Sequence, residues 1–197
     1  MDNRTQAGFT LYELLITVVI IGVILTFAVP NLQDFARNSR MTSTANDLLS
    51  AFHLARSESS RAKTNITICP SGDGNSCGGA WDQGLIVFVD ENGDLTRSGP
   101  TESVLRMKGR IASGVSLAIA GDATYFSYSS TGLGRPNVDG NTAVSQIVIC
   151  DERGNTIGAG GGSAARLFVV TPLGRATIIR DVDLIDDALT SMNTTCP

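Results

Sequence analysis

Gly8-Phe9-Thr10-Leu11-Tyr12-Glu13-Leu14-Leu15-Ile16, running on through an apolar stretch to Val29-Pro30, decides how the rest of this chain is read. From Leu14 to Gln33 no residue is charged. A helix of that length covers the ~30 Å hydrocarbon layer of a bilayer, at ~1.5 Å rise per residue. Three features separate the segment from an ordinary anchor. The polar leader before it, residues 1–8, is short and ends in glycine. An acid, Glu13, lies just inside the apolar run. Pro30 closes the run, and an amphipathic sequence follows. The leader also lacks the small-residue cleavage site that a secretory signal carries after its apolar region. A cut after Gly8 would keep the apolar helix on the mature chain, with Phe9 as its new terminus.

Residues 9–29 are therefore expected to form a transmembrane helix. Gly22 and the Val18-Val19-Ile20-Ile21 run lower its intrinsic helicity. Lipid still enforces a helix, because backbone groups find no water there. A carboxylate inside a bilayer costs several kcal/mol unless it is paired or protonated. Glu13 thus calls either for an interfacial position or for a cationic partner. Residues 30–63 are expected to continue the helix in amphipathic form. Leu32, Phe35, Ala36, Ala45, Leu48, Leu49, Phe52 and Ala55 recur at three- and four-residue steps, an apolar stripe suited to packing on the chain's own globular domain. His53 is read as a surface or boundary residue with no chemical role.

Residues 64–197 form the rest, roughly 130 residues, enough for one compact domain. Runs such as Asn65–Cys69, Leu85–Val89, Val104–Ile111, Val115–Ala120, Thr124–Tyr128 and Gln146–Cys150 read as strands. Arg166–Thr171 and Ala176–Arg180 flank Pro172-Leu173-Gly174 as a final hairpin would. Thr131–Asn141 reads as a loop and Asp181–Pro197 as an acidic tail. The expected class is α+β: a long N-terminal helix, transmembrane and then amphipathic, packed on a mostly antiparallel β-sheet domain.

Four cysteines, Cys69, Cys77, Cys150 and Cys196, lie beyond the membrane segment. An even number there favours disulfides over zinc, since no close CxxC spacing occurs and His53 is the single histidine. Three pairings are open to four cysteines. The expected one is Cys69–Cys77, closing a Gly/Ser loop, with Cys150–Cys196 fastening the acidic tail to a strand. The side chains sum to −4, from 15 basic and 19 acidic residues. Such a balance draws no nucleic acid without a local basic patch. One histidine supports no Ser-His-Asp or Cys-His group. Gly158–Gly162 is followed by no Gly-Lys-Ser/Thr. Asp90-x-Asn92-x-Asp94 resembles the start of a calcium loop but lacks glutamate at the EF-hand spacing, and is read as a hairpin turn. The chain is expected to be no enzyme, with no cofactor and no metal.

Gly8-Phe9-Thr10-Leu11-Tyr12-Glu13-Leu14-Leu15 resembles the class III signal of type IV prepilins and type II secretion pseudopilins. Cys69-Pro70-Ser71, Trp81-x-x-Gly84 and Val87-Phe88-x-Asp90-x-x-Gly93 are similar to the globular domain of the GspH/FimT family of minor pilins and pseudopilins. The resemblance implies a pilin-like fold and a structural subunit of a pilus tip or initiation complex. The alternatives it carries are a minor pseudopilin of type II secretion and a DNA-binding receptor for natural transformation. It implies cleavage after Gly8 by a prepilin peptidase and N-methylation of Phe9. It further implies assembly through Phe9, Glu13 and Pro30, with Glu13 pairing to a neighbouring subunit's Phe9 amine. The implied partners are other pilins or pseudopilins, an inner-membrane assembly platform and membrane lipid. The implied location is the bacterial inner membrane, with the C-terminal domain periplasmic, and then the pilus or pseudopilus. Some relatives bind DNA through a C-terminal Gly-Arg-x-Arg motif. Here Gly174-Arg175-Ala176-Thr177 keeps only the first arginine. Arg175, Arg180 and Arg166 are the candidate DNA contacts, and Asp181, Asp183, Asp186 and Asp187 beside them would repel phosphate.

Overall fold

The computed structural model describes residues 9–121, 123–158 and 160–196. Helix α1 runs without a break over Leu11–Ala62, with Pro30 inside it. The chain divides into two compact units, Met1–Ser39 and Arg40–Pro197, so α1 begins in one and ends in the other. In the first unit the described side chains as far as Phe35 are exposed.

In the second unit two sheets share one core with the C-terminal half of α1. The strands are β1 (Asn65–Pro70), β2 (Leu85–Asp90), β3 (Val104–Lys108), β4 (Val115–Ile119), β5 (Ala123–Tyr128), β6 (Asn137–Val138), β7 (Asn141–Ala143), β8 (Gln146–Asp151), β9 (Arg166–Val170) and β10 (Ala176–Ile179). The six-stranded sheet has the order β3-β2-β1-β5-β7-β6, and the four-stranded sheet β10-β9-β8-β4. The chain thus visits the second sheet at β4 before returning to the first at β5. Apart from the parallel β5–β7 pair, these strands pair antiparallel.

Phe52 of α1 ties the layers together. Its ring centroid lies 5.2 Å from that of Phe126 in the first sheet and 4.7 Å from that of Phe168 in the second. Around this trio, Met41, Leu48, Ile66, Ile68, Ile147 and Ile149 are buried in the same core. Successive strand residues point to opposite faces, and both central strands are covered on both sides. Cys69 faces away from the main core and packs with Ile86 and Phe88. Val148 and Cys150 face away from it in the other sheet and pack under a second helix. That double burial is why these strands read as nearly continuous apolar runs.

The second helix, α2 (Val182–Ser191), replaces the expected acidic tail. Asp181 caps it, accepting from the N–H groups of Asp183 and Leu184 at 3.1 Å each. Ile185, Ala188 and Leu189 bury its inner face against Val148 and Leu167. The acids occupy the other positions, so a charged composition concealed an amphipathic helix. Two further expectations change. Within Thr131–Asn141, β6 and the start of β7 pair with each other. Leu32 and Phe35 do not join the buried stripe: they are 68% and 71% exposed, and burial along α1 begins at Met41.

Candidate assembly helix and candidate contact residues

The start of α1 is built by two side chains. Glu13 N–H donates to Thr10 Oγ1 at 3.2 Å, and Thr10 N–H donates to Glu13 Oε2 at 3.4 Å. This reciprocal arrangement is a capping box, which satisfies two amides that have no partner within the helix. A carboxylate in the first turn also faces the positive end of the helix dipole. Sequence reasoning missed this role for Glu13, although the Thr-x-x-Glu spacing signals it. Phe9, directly before the box, is 88% exposed. The Glu13 carboxylate thus sits one residue from the position where a cut after Gly8 would expose an amine. Gly8 itself lies outside the described residues, as does the rest of the expected leader.

Beyond the cap, the polar groups of the apolar run are satisfied within the helix. Thr17 Oγ1 donates to Leu14 O at 2.8 Å, and Thr26 Oγ1 donates to Val23 O at 2.6 Å. Pro30 has no N–H to give, and Asn31 Nδ2 donates to Phe27 O at 2.8 Å on the same turn. A segment that leaves only hydrocarbon on its surface suits lipid or an apolar filament core.

The cysteines form two pairs in the second unit. Cys69 is bonded to Cys77 across a Cα–Cα distance of 5.5 Å, and Cys150 to Cys196 across 5.6 Å. The first closes the loop of residues 70–76, and the second holds the chain beyond α2 against β8. Links of this kind contribute ~2–4 kcal/mol each.

The three candidate DNA contacts do not converge. Arg166 is 5% exposed, and its Nη1 donates to the carbonyls of Ser163, Ala164 and Ala165. Burial pushes its guanidinium down to about 10, with Arg180 and Arg153 adding to the effect. Arg166 is thus a structural residue and not an exposed contact. Arg175 and Arg180 are exposed, but they stand at opposite ends of β10, ~16 Å apart at ~3.3 Å per residue. Arg180 is further occupied by Ser163 O at 3.2 Å from Nη2. Gly174, just before Arg175, is fixed by packing: a Cβ there would lie 2.6 Å from Gly132 O and 2.7 Å from the Tyr128 ring.

Residues 44–174 match the family model described as Type II transport protein GspH. The chain belongs to the GspH family of minor pilins and pseudopilins. Residues 3–29 match the prokaryotic N-terminal methylation motif, which takes in Gly8, Phe9 and Glu13. No curated protein sequence matches significantly. Two crystal forms of the Pseudomonas aeruginosa type IV minor pilin FimU are similar to the chain, each at 18% identity. The P21 form has a TM-score of 0.49 and covers 76% of this chain and 94% of its own. The P65 form has a TM-score of 0.47 and covers 70% and 90%. The capping box of Thr10 and Glu13 lies inside the methylation-motif match and outside the GspH match.

Proposed function

We propose that this GspH-family chain is a minor type IV pilin, held in the inner membrane by α1 before assembly, with the domain that follows in the periplasm. One observation carries the reading: inside the methylation-motif match, α1 starts at a capping box made by Thr10 and Glu13 and then runs to Pro30 with exposed side chains and no further charge. A prepilin peptidase would cut after Gly8 and leave Phe9 as an N-methylated terminus. In the filament, Glu13 would meet the Phe9 amine of a neighbouring subunit, and Pro30 would mark the end of the polymerising segment. The assembly platform and other pilins are then its partners, and the filament tip or initiation complex its place. The description of the matched family model favours a second reading, a minor pseudopilin of type II secretion. For DNA uptake, Arg175 is the exposed arginine of the candidate set that does not bond Ser163.

A deletion strain separates the two filament readings. Loss of surface pili with normal exoprotein secretion is expected. Loss of secretion with normal pili would overturn the pilus reading in favour of the pseudopilus. Mass spectrometry of the membrane-extracted chain should find a methylated Phe9 terminus, and an intact Met1 terminus would reject the processing.

A further inference from the structure

We infer that the loop joining β2 to β3 is a calcium-type cation site formed by Asp90, Asp94 and Glu102. A carboxylate oxygen from each of the three lies within 4.8 Å of the others. Asp90 and Glu102 are 0% and 3% exposed, while Asp94 is exposed and opens the cluster to solvent. Carboxylates gathered in this way repel one another, and burial adds a desolvation cost unless a cation compensates.

The protein supplies only part of that compensation. Arg135 Nη1 approaches Asp90 Oδ2 at 3.7 Å, but the same guanidinium also donates to Gly93 O and Ser127 Oγ. Arg97 turns instead to the main-chain carbonyl of Glu102 and to Asn75. One guanidinium therefore faces three carboxylates, which leaves the charge a divalent ion would neutralise.

A second observation points to a ligand. Asp90 Oδ2 is well supplied, accepting from Thr67 Oγ1 at 2.6 Å and from Leu95 N–H at 3.4 Å. Its other oxygen, Oδ1, is buried and has no hydrogen-bond partner. Buried carboxylate oxygens are almost always satisfied, and an exception on a residue of this cluster points to a ligand as its partner. The other two acids are held in place by the loop itself. Thr96 N–H donates to Asp94 Oδ1 at 2.8 Å, and Ser98 N–H donates to Glu102 Oε2 at 2.6 Å.

The backbone agrees with a calcium loop. Asp90, Asn92 and Asp94 alternate as the first three ligands of an EF-hand do. Leu95 follows at the position where that loop needs a glycine, and it adopts φ 66°. Glu102 falls one residue beyond the EF-hand glutamate, yet the fold brings its carboxylate to the cluster. The cluster offers oxygen donors and no sulfur or imidazole, which selects hard cations. A loop with mixed carboxylates and no octahedral cage fits calcium better than magnesium. The site belongs to the globular domain's own residues and is independent of which filament the chain serves.

The test uses the full-length chain in detergent, freed of metal by chelator and titrated with calcium or magnesium chloride. Calorimetry should show one saturable calcium site with Kd near ~10⁻⁴–10⁻³ M, the class of extracellular modules. Thermal unfolding should rise by several degrees at ~10 mM calcium and much less with magnesium. Asp94→Asn and Glu102→Gln should each weaken calcium binding by ~10-fold or more while leaving the calcium-free melting temperature close to that of the parent. Asp94 is exposed, so Asp94→Asn decides the matter should Glu102→Gln unfold. No saturable heat and no thermal shift at ~10 mM calcium overturns the site. Undiminished binding by a folded Asp94→Asn chain also overturns it, by locating the ion elsewhere.

Discussion

Thr67 and Asp90, fully buried on neighbouring strands, are joined by a 2.6 Å hydrogen bond from Thr67 Oγ1 to Asp90 Oδ2. Asp90 lies opposite Asn65 in the β1–β2 register, so the pair is a diagonal contact on one sheet face. A hydroxyl has one proton and a carboxylate can only accept, so this is Thr67's donated bond. Ser127 Oγ, 2.9 Å from the same hydroxyl, links it onward to Arg135.

Thr67→Val should therefore destabilise the domain by ~1.5–3 kcal/mol, the range for a hydrogen bond to a charged group. Thr67→Ser keeps the donor and should lose far less. Urea midpoints of the two variants at neutral pH test this. Equal midpoints for Thr67→Val and the parent would show that the bond contributes nothing.

Asp73 sets a pH dependence in the loop closed by Cys69 and Cys77. It accepts from Ser76 Oγ at 2.6 Å, from the N–H groups of Ser76 and Asn75 at 2.9 and 2.8 Å, and from Ser71 Oγ at 3.0 Å. These donors, the Ser76 hydroxyl foremost, hold its carboxyl well below the usual carboxylate range. The folded state thus binds the proton less readily than the unfolded one. Its contribution is full above about pH 4 and is lost as the pH falls through the acid range. Asp73→Asn should be less stable than the parent at pH 7, and the gap should narrow below about pH 4. Denaturant curves across that range check it, and a gap independent of pH would remove Asp73 from the account.

The capping box makes the proposed assembly role of Glu13 testable without confusing it with helix capping. Glu13→Gln keeps an acceptor for Thr10 N–H but removes the charge. Thr10→Ala removes the other half of the box and keeps the charge, at ~0.5–2 kcal/mol of local helix stability. If Glu13 neutralises a neighbour's amine in an apolar core, its charge is what assembly needs. An amine left unpaired there costs ~3–5 kcal/mol. Recovery in sheared filaments should then fall sharply for Glu13→Gln and little for Thr10→Ala. The opposite order would make Glu13 a helix cap and nothing more.

The residues from Gly8 to Pro30 disclosed the apolar helix and its acid because a run without charge is a local property; the capping box, equally local, was missed. The strands around Ile68, Val87 and Ile149 were equally legible, since double burial demands continuous apolar runs. Their assignment to two sheets was not. β4 sits between two strands of the first sheet in sequence but pairs with β8 in the second, and the Phe52 ring packs on Phe126 of one sheet and Phe168 of the other. Which strand pairs with which is decided by contacts far apart in the chain, and no local pattern encodes them. The same holds for single residues. Arg166 reads as a surface cation until three carbonyls close around it. Glu102 has the wrong spacing for a calcium loop until the loop folds its carboxylate against Asp90 and Asp94. The sequence by itself determined the membrane-type helix, the apolar strands and the N-terminal motif, because each depends on neighbours within a few turns, while α2 and β6 escaped that reading. The tertiary structure alone decided sheet membership, the burial of charge and the gathering of the three acids, because burial and proximity depend on the whole chain.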